Sequence, residues 1–224
     1  LNKVYNNKLL FIGIHILIGV ILTFIPISKL YTLIVLLVGV FIIYISKNNK
    51  EEVLYVSAYL VGAEVFIRMS GGAILYETGK YGMVLFVFLG LFLGKVKQKP
   101  TISFILYILL LLIGIIGESI KNAIAFNLSG PISLGILAIY CHLRPISISQ
   151  LKEILFMSLL PIFSMVSFIY FRTPDLEELV FGTLSNFKTS GGFGPNQVAT
   201  ILGFGAFILA VFLFIRINLS FYIF

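Results

Sequence analysis

The chain has 224 residues, 59% of them apolar and only 11% charged, with a mean hydropathy of +1.09. A soluble domain carries roughly a quarter charged residues, so this composition excludes an ordinary soluble enzyme and predicts an all-α, polytopic helix bundle in a lipid bilayer. The net charge of +7 does not indicate nucleic acid, because the basic residues are scattered between apolar blocks and form no continuous stripe.

The blocks predict eight spanning helices and the start of a ninth: Leu9–Ile25, Leu30–Ile45, Val53–Met69, Tyr81–Gly94, Thr101–Gly117, Phe126–Leu143, Ile154–Phe171 and Val198–Ile215. Most lie near the short end of the roughly 17–25 residues that a spanning helix needs. The block at Tyr81 requires residues before it to cross fully. "PISK" between the first two predicts a tight hairpin of neighbouring helices. No small-residue cleavage site follows the first block, which therefore reads as a spanning helix rather than a removed signal peptide. Cys141, the single cysteine, lies within a predicted span and has no internal disulfide partner. Residues 1–224 thus read as one integral-membrane domain. The chain starts at Leu1 and ends in "INLSFYIF" inside an apolar block, so the expectation is the front portion of a longer protein.

With a cytoplasmic N-terminus, Lys3, Lys8, Lys47, Lys50, Lys95, Lys97, Lys99, Arg144, Lys152 and Arg216 lie inside, and Lys29, Arg68, Lys80, Lys121, Arg172 and Lys188 outside. That inside excess fits the positive-inside rule, with "KVKQK" as its strongest element. The longest connection, 172–197, is then extracytoplasmic, together with "RMSGGAILYETGKYG" and "GESIKNAIAFN".

Several polar residues in or beside the blocks need partners. Glu64 and Arg68 are four apart, on one helical face, where they can pair. One reading makes them a structural ion pair; the other makes Arg68 part of an anion-binding surface oriented by Glu64. Glu77 and Lys80 follow in the same connection, and Gly71, Gly72 and Gly79 let its backbone turn closely. Glu118 and Lys121 form an expected interfacial pair. Asn127 or Ser129 is an expected cap before Pro131. His15 and His142 lie at different depths without a carboxylate cluster, so no metal site is expected. Gly90-x-x-x-Gly94 permits close packing, although the spacing is common by chance.

The connection 172–197 holds the most informative stretch. Arg172 ends one span and Pro174 can break its helix; Asp175 can cap a short "DLEEL" helix. "KTSGGFGPNQVAT" follows, with glycines that can expose successive N–H groups and hydroxyls on Thr189 and Ser190. Pro195 fixes the backbone before the last span, and Asn196 can cap its start. Such a turn aims donors and a positive helix end at one place, which favours an anion such as phosphate. Lys188 and Arg172 are the adjacent cations, and Arg can grip phosphate oxygens in two-pronged fashion. An ordinary Gly/Pro hairpin is the competing reading.

A basic residue followed by "GGFGPNQVA" at the start of a span resembles the G-x-F-G-x-P-N-x-x-A signature of the O-antigen ligase and polysaccharide polymerase family. The match departs by one residue, since Gly194 abuts Pro195. "AEVFIRMSGG", "YETGKYG" and "FNLSGP" look like segments of Bacteroidetes members of that family. The resemblance implies a multi-pass protein of the bacterial inner membrane that transfers glycan from an undecaprenyl-diphosphate carrier to a sugar hydroxyl, on lipid A-core or a growing polysaccharide. It implies no metal, nucleotide or other cofactor. Arg172, Lys188 and Arg68 become the expected diphosphate contacts, Glu64 an orienting residue, and Gly191, Gly192, Gly194, Asn196 and Gln197 the substrate-facing turn. The family's later loop, with its histidine and further arginine, is not in this sequence, so these 224 residues alone are expected to be inactive. A secondary transporter, or a non-catalytic subunit of an envelope polysaccharide system, are the alternative readings; a transporter predicts an internal repeat, and none is visible.

Overall fold

The computed structural model describes residues 2–94, 102–113, 128–142, 144–174 and 186–221. Among them are eight α helices, one short 3-10 turn and no strand. The helices are α1 (Asn2–Phe24), α2 (Ser28–Ser46), α3 (Glu52–Met69), α4 (Thr78–Leu93), α5 (Ile102–Ile113), α6 (Ser129–Cys141), α7 (Ile148–Arg172) and α8 (Pro195–Phe221); the 3-10 turn is Lys188–Ser190. The architecture is an all-helical bundle. Four helices are long and apolar enough to cross a membrane: α1 over Asn7–Phe24, α2, α7, and α8 over Pro195–Phe214. The helices α4, α5 and α6 are shorter and also apolar.

Each predicted apolar block overlaps one described helix, four of which are of membrane-crossing length, and some of the ends differ for local reasons. Helix α7 starts at Ile148, earlier than its apolar stretch, because Ser147 and Gln150 form a reciprocal cap. The Ser147 hydroxyl accepts the Gln150 N–H at 3.1 Å, and Gln150 Oε1 accepts the Ser147 N–H at 2.9 Å. Helix α4 begins at Thr78, three residues before its predicted block, and at 16 residues is still shorter than the four membrane-length helices. Thr78 Oγ1 accepts the N–H groups of Ile74 and Leu75 at 3.0 and 2.8 Å, which ties down the preceding turn. Ser129 is the first residue of α6 rather than its cap, the cap position being Leu128. The expected Glu118–Lys121 pair, Asn127 and the Asp175 helix lie outside the described residues.

Helix α3 is the centre. It carries three charged residues, Glu52, Glu64 and Arg68, yet it buries ten positions from Val53 to Met69, spread around its circumference. It contributes to two apolar clusters. One joins Val53, Val56, Leu60 and Ile67 to Ile43, Phe86, Val87 and Tyr140. The other joins Val65, Phe66 and Met69 to Leu22, Met165, Phe168 and Val198. A helix enclosed by others can carry charges that a lipid-facing one cannot, provided they are partnered. By contrast α1 and α2 expose Leu9, Leu17, Leu37, Phe41 and many other large apolar side chains, a surface suited to lipid rather than water.

Close approach between helices runs through small residues. A Cβ at Gly62 would collide with the Ser158 carbonyl and the Pro161 ring of α7, and one at Gly19 with the Ser164 carbonyl and the Ser167 hydroxyl. Ser167 Oγ donates across to the Ile16 carbonyl at 3.0 Å. Such small-residue contacts let backbones pack when lipid provides no hydrophobic drive between helices. Gly90 likewise admits Val53 and Asn48 at close range.

One expectation is overturned here. Residues 25–27 turn tightly, but α1 and α2 are not packed neighbours. Helix α1 lies along α7 while α2 lies against α3 and α4, so the pair opens like a V.

Contacts between helix ends define two ends of the bundle. At one, the α2–α3 turn is bound to α6 by a network that sequence reading missed. Arg144 Nη1 lies 2.6 and 2.5 Å from the two Glu51 carboxylate oxygens, and Arg144 Nε donates to the Tyr140 carbonyl at 2.6 Å. The Tyr140 hydroxyl donates to Glu51 Oε2 at 2.8 Å and accepts from Asn48 Nδ2 at 2.7 Å. Lys47, Asn48 and Glu51 all adopt left-handed backbone, at φ 51°, 51° and 61°, a conformation costly for residues with a Cβ. The network offsets that cost.

Candidate functional site

At the other end, the C-termini of α3 and α7 meet the turn that precedes α8. Helix α3 stops at a left-handed Gly71, φ 76°, with Gly72 N–H donating to the Ile67 carbonyl at 2.8 Å and Gly71 N–H to that of Arg68 at 3.2 Å. Helix α7 ends at Arg172, where Thr173 Oγ1 donates to the Ile169 carbonyl at 2.9 Å.

The turn itself is held from within. Gly191 and Gly192 have φ of 67° and 80°, left-handed backbone that favours residues lacking a Cβ. Gly192 N–H donates to the Phe187 carbonyl at 2.9 Å. The Ser190 hydroxyl is buried and faces the carbonyls of Phe193, Phe187 and Asn186 at 2.5, 3.0 and 3.3 Å. Thr189 Oγ1 donates to the Asn186 carbonyl at 3.1 Å. These hydroxyls, expected as ligand donors, are therefore turn-forming groups, and one of the expected exposed N–H groups is already engaged. Beneath the turn, a Cβ at Gly191 would touch Ile169 of α7 and Met69 of α3, while Phe193 packs into the cluster with Phe168 and Val198.

Pro195 is the first residue of α8, where its missing N–H costs nothing. The Gly194 carbonyl accepts Gln197 N–H at 3.0 Å and Val198 N–H at 3.2 Å. Asn196 thus sits inside the first turn rather than capping it, a correction that follows from the proline defining the helix start one residue earlier.

Arg172, Pro174, Lys188, Gly191 and Gly192 line a common cavity of about 430 Å³. Arg172, Lys188 and Gly192 are exposed on it. The Arg172 guanidinium lies 5.1 Å over the Phe168 ring, which fixes its base while leaving its edge available. Gly194, Asn196 and Gln197 lie beyond the wall on the α8 side, the last two exposed. Arg68 reaches the same turn from α3. Its guanidinium lies 5.4 Å from the Phe193 ring and 5.0 Å from that of Tyr76, with Nη2 3.5 Å from the Tyr76 hydroxyl. It borders the turn without lining the cavity.

Glu64 does not form the expected pair with Arg68. Lys80 Nζ sits 3.9 Å from Glu64 and 2.5 Å from Glu77 Oε2. A Cβ at Gly79 would meet Glu64 at 3.1 Å, so α4 crosses α3 where Lys80 intercepts that carboxylate. Glu64 therefore balances Lys80 and leaves Arg68 to the aromatic rings. Among the described residues, Arg68, Arg172 and Lys188 form no ion pair within 4.0 Å. Chemically, the site presents two exposed cations, a third stacked beside them and a glycine turn, an arrangement suited to a multiply charged anion. No group of three or more His, Cys, Asp or Glu side chains suited to a metal exists among the described residues.

The site and the fold define a helical protein with membrane-length apolar helices and a cation-bearing turn at one end. No family model, curated protein or solved structure matches the chain.

Proposed function

We propose that this chain forms the membrane bundle of a transferase of the O-antigen ligase or polysaccharide polymerase kind. It would have eight spans and the start of a ninth in the bacterial inner membrane, with the N-terminus cytoplasmic and the 172–197 connection outside. The donor is a glycan on undecaprenyl diphosphate and the acceptor a sugar hydroxyl, on lipid A-core or a polysaccharide. The observation that carries the reading is the cavity where Arg172 and Lys188 meet at the Gly191–Gly192 turn. Cleavage of the glycosyl–phosphate bond leaves new negative charge on the departing diphosphate. Fixed cations stabilise that charge most when water is scarce. Arg172 and Lys188 hold the diphosphate, and Arg68 adds a longer-range positive field.

The test is glycan transfer by the natural full reading frame in membranes, with protein abundance measured in parallel. Arg172→Ala and Lys188→Ala should each lower transfer by about 10²-fold or more, the scale for loss of one charge-stabilising group, with the protein still inserted and abundant. Normal transfer by Arg172→Ala would remove the diphosphate role. The Glu64–Lys80–Glu77 cluster, partly buried in the bundle, favours a second reading as a secondary transporter. On that reading Lys80→Met abolishes solute uptake, and the Arg172 change leaves it intact.

A further inference from the structure

The V between α1 and α2 is a groove of about 800 Å³, closed behind by α3 and α7. Along α1 it runs from Asn7 to Leu22, about 22 Å at the helical rise. Its walls are apolar except at two places. The first is a hydrogen-bonded chain in the wall. His15 Nδ1 lies 2.8 Å from the Phe11 carbonyl, which can only accept, so in the neutral imidazole the proton sits on Nδ1 and Nε2 is the acceptor. The Tyr59 hydroxyl, 3.1 Å away, must then donate to Nε2, and Tyr31, 2.8 Å from Tyr59, must donate to Tyr59. Every proton of the chain is spent, so the wall offers the groove no donor seeking a partner. A hydrocarbon chain meets no penalty there.

The second polar place is the mouth, at the end opposite the glycine turn. Lys8 and Glu153 both line it, with Tyr55 and Asn7. Lys8 Nζ lies 5.1 Å over the Phe156 ring, and the Tyr55 hydroxyl donates to Glu153 Oε2 at 3.4 Å. Lys8 and Glu153 make no ion pair within 4.0 Å among the described residues. One mouth therefore offers a separate cation and anion above an apolar groove. We propose that this groove binds a zwitterionic membrane phospholipid, with its phosphate on Lys8, its ammonium on Glu153, and one acyl chain along α1 past His15. An acyl chain spans half of the bilayer core, about 15 Å, which the groove accommodates. The site is separate from the cation-bearing turn and does not depend on the transferase reading.

The experiment is native mass spectrometry of the purified chain after reconstitution into vesicles of equal phosphatidylethanolamine and phosphatidylglycerol. The expected result is one retained phosphatidylethanolamine per chain, severalfold over phosphatidylglycerol. Lys8→Gln should lower retention of both lipids about fivefold, the effect of one basic side chain at a headgroup. Glu153→Gln should keep retention but erase the preference. Val38→Trp, which fills the groove from α2, should abolish retention with helical content unchanged. Equal or stronger retention of phosphatidylglycerol would overturn the headgroup assignment. No retained lipid, or a lipid-free dimer that Val38→Trp dissociates, would overturn the site itself.

Discussion

Replacing Glu51 tests what holds the end of the bundle opposite the glycine turn. The Glu51 carboxylate and the Arg144 guanidinium are 15% and 4% exposed, and the Arg144 remnant would keep only the Tyr140 carbonyl and ring. Removing one partner of a buried pair costs about 3–5 kcal/mol; the residual exposure of Glu51 points to the lower value. A second effect acts through the backbone. Glu51 has φ 61°, and a left-handed residue with a Cβ is disfavoured by roughly 1–2 kcal/mol. Glycine removes that strain, although its extra freedom in the unfolded chain returns up to about 1 kcal/mol. Glu51→Ala should therefore lose about 3 kcal/mol, and Glu51→Gly should lose roughly 0.5–1 kcal/mol less. The assay is equilibrium unfolding in mixed micelles, titrated with SDS and followed by far-UV circular dichroism. Arg144→Leu should cost about as much as Glu51→Ala, and the double variant should fall well short of the sum, since both remove one interaction. Additive losses, or a glycine variant no more stable than the alanine one, would refute the reasoning.

Two further predictions concern packing and the turn. Gly62→Leu places a side chain into the Ser158 carbonyl of α7 and should destabilise by about 3 kcal/mol or more; Gly13→Leu, with nothing within 4 Å, should stay within about 0.5 kcal/mol of wild type in the same titration. Ser190→Ala removes the hydroxyl that faces three turn carbonyls and should cost about 1–3 kcal/mol; proteolysis of intact vesicles at the 186–194 turn should quicken, whereas a role in ligand contact alone would leave that rate unchanged.

The apolar helices were legible because hydropathy reads burial in lipid directly, one element at a time. The turn before α8 was legible for a different reason: Gly-Gly-x-Gly-Pro constrains its own backbone, so local chemistry sets the reversal and the helix start at Pro195. Which neighbour each helix chooses was not legible. "PISK" set a tight turn but not the splay of α1 from α2, because Gly19 fits α7 and Gly39 fits the Phe86 ring of α4. Glu64 was assigned to Arg68 by i,i+4 spacing, yet Lys80 on α4 reaches it through the gap left by Gly79. The Glu51–Arg144 pair joins residues 93 apart, and Arg144 alone reads as one more basic residue in a turn.

The distribution of ion pairs then bears on the site. Among the described residues, Glu64 and Glu77 balance Lys80 and Glu51 balances Arg144, two cations that the packed helices partly or largely enclose. A cation enclosed without a partner is expensive near a low-dielectric core, so packing selects for these pairs. Arg172 and Lys188 escape that selection because the turn holds them at an exposed cavity, and Arg68 because aromatic rings take the place of a carboxylate. A carboxylate seated on Arg172 would compete with any anionic ligand. The proposed transfer requires cations whose charge is not already spent. Among the described residues Arg172 and Lys188 carry no ion pair, and they sit next to a turn built on two left-handed glycines.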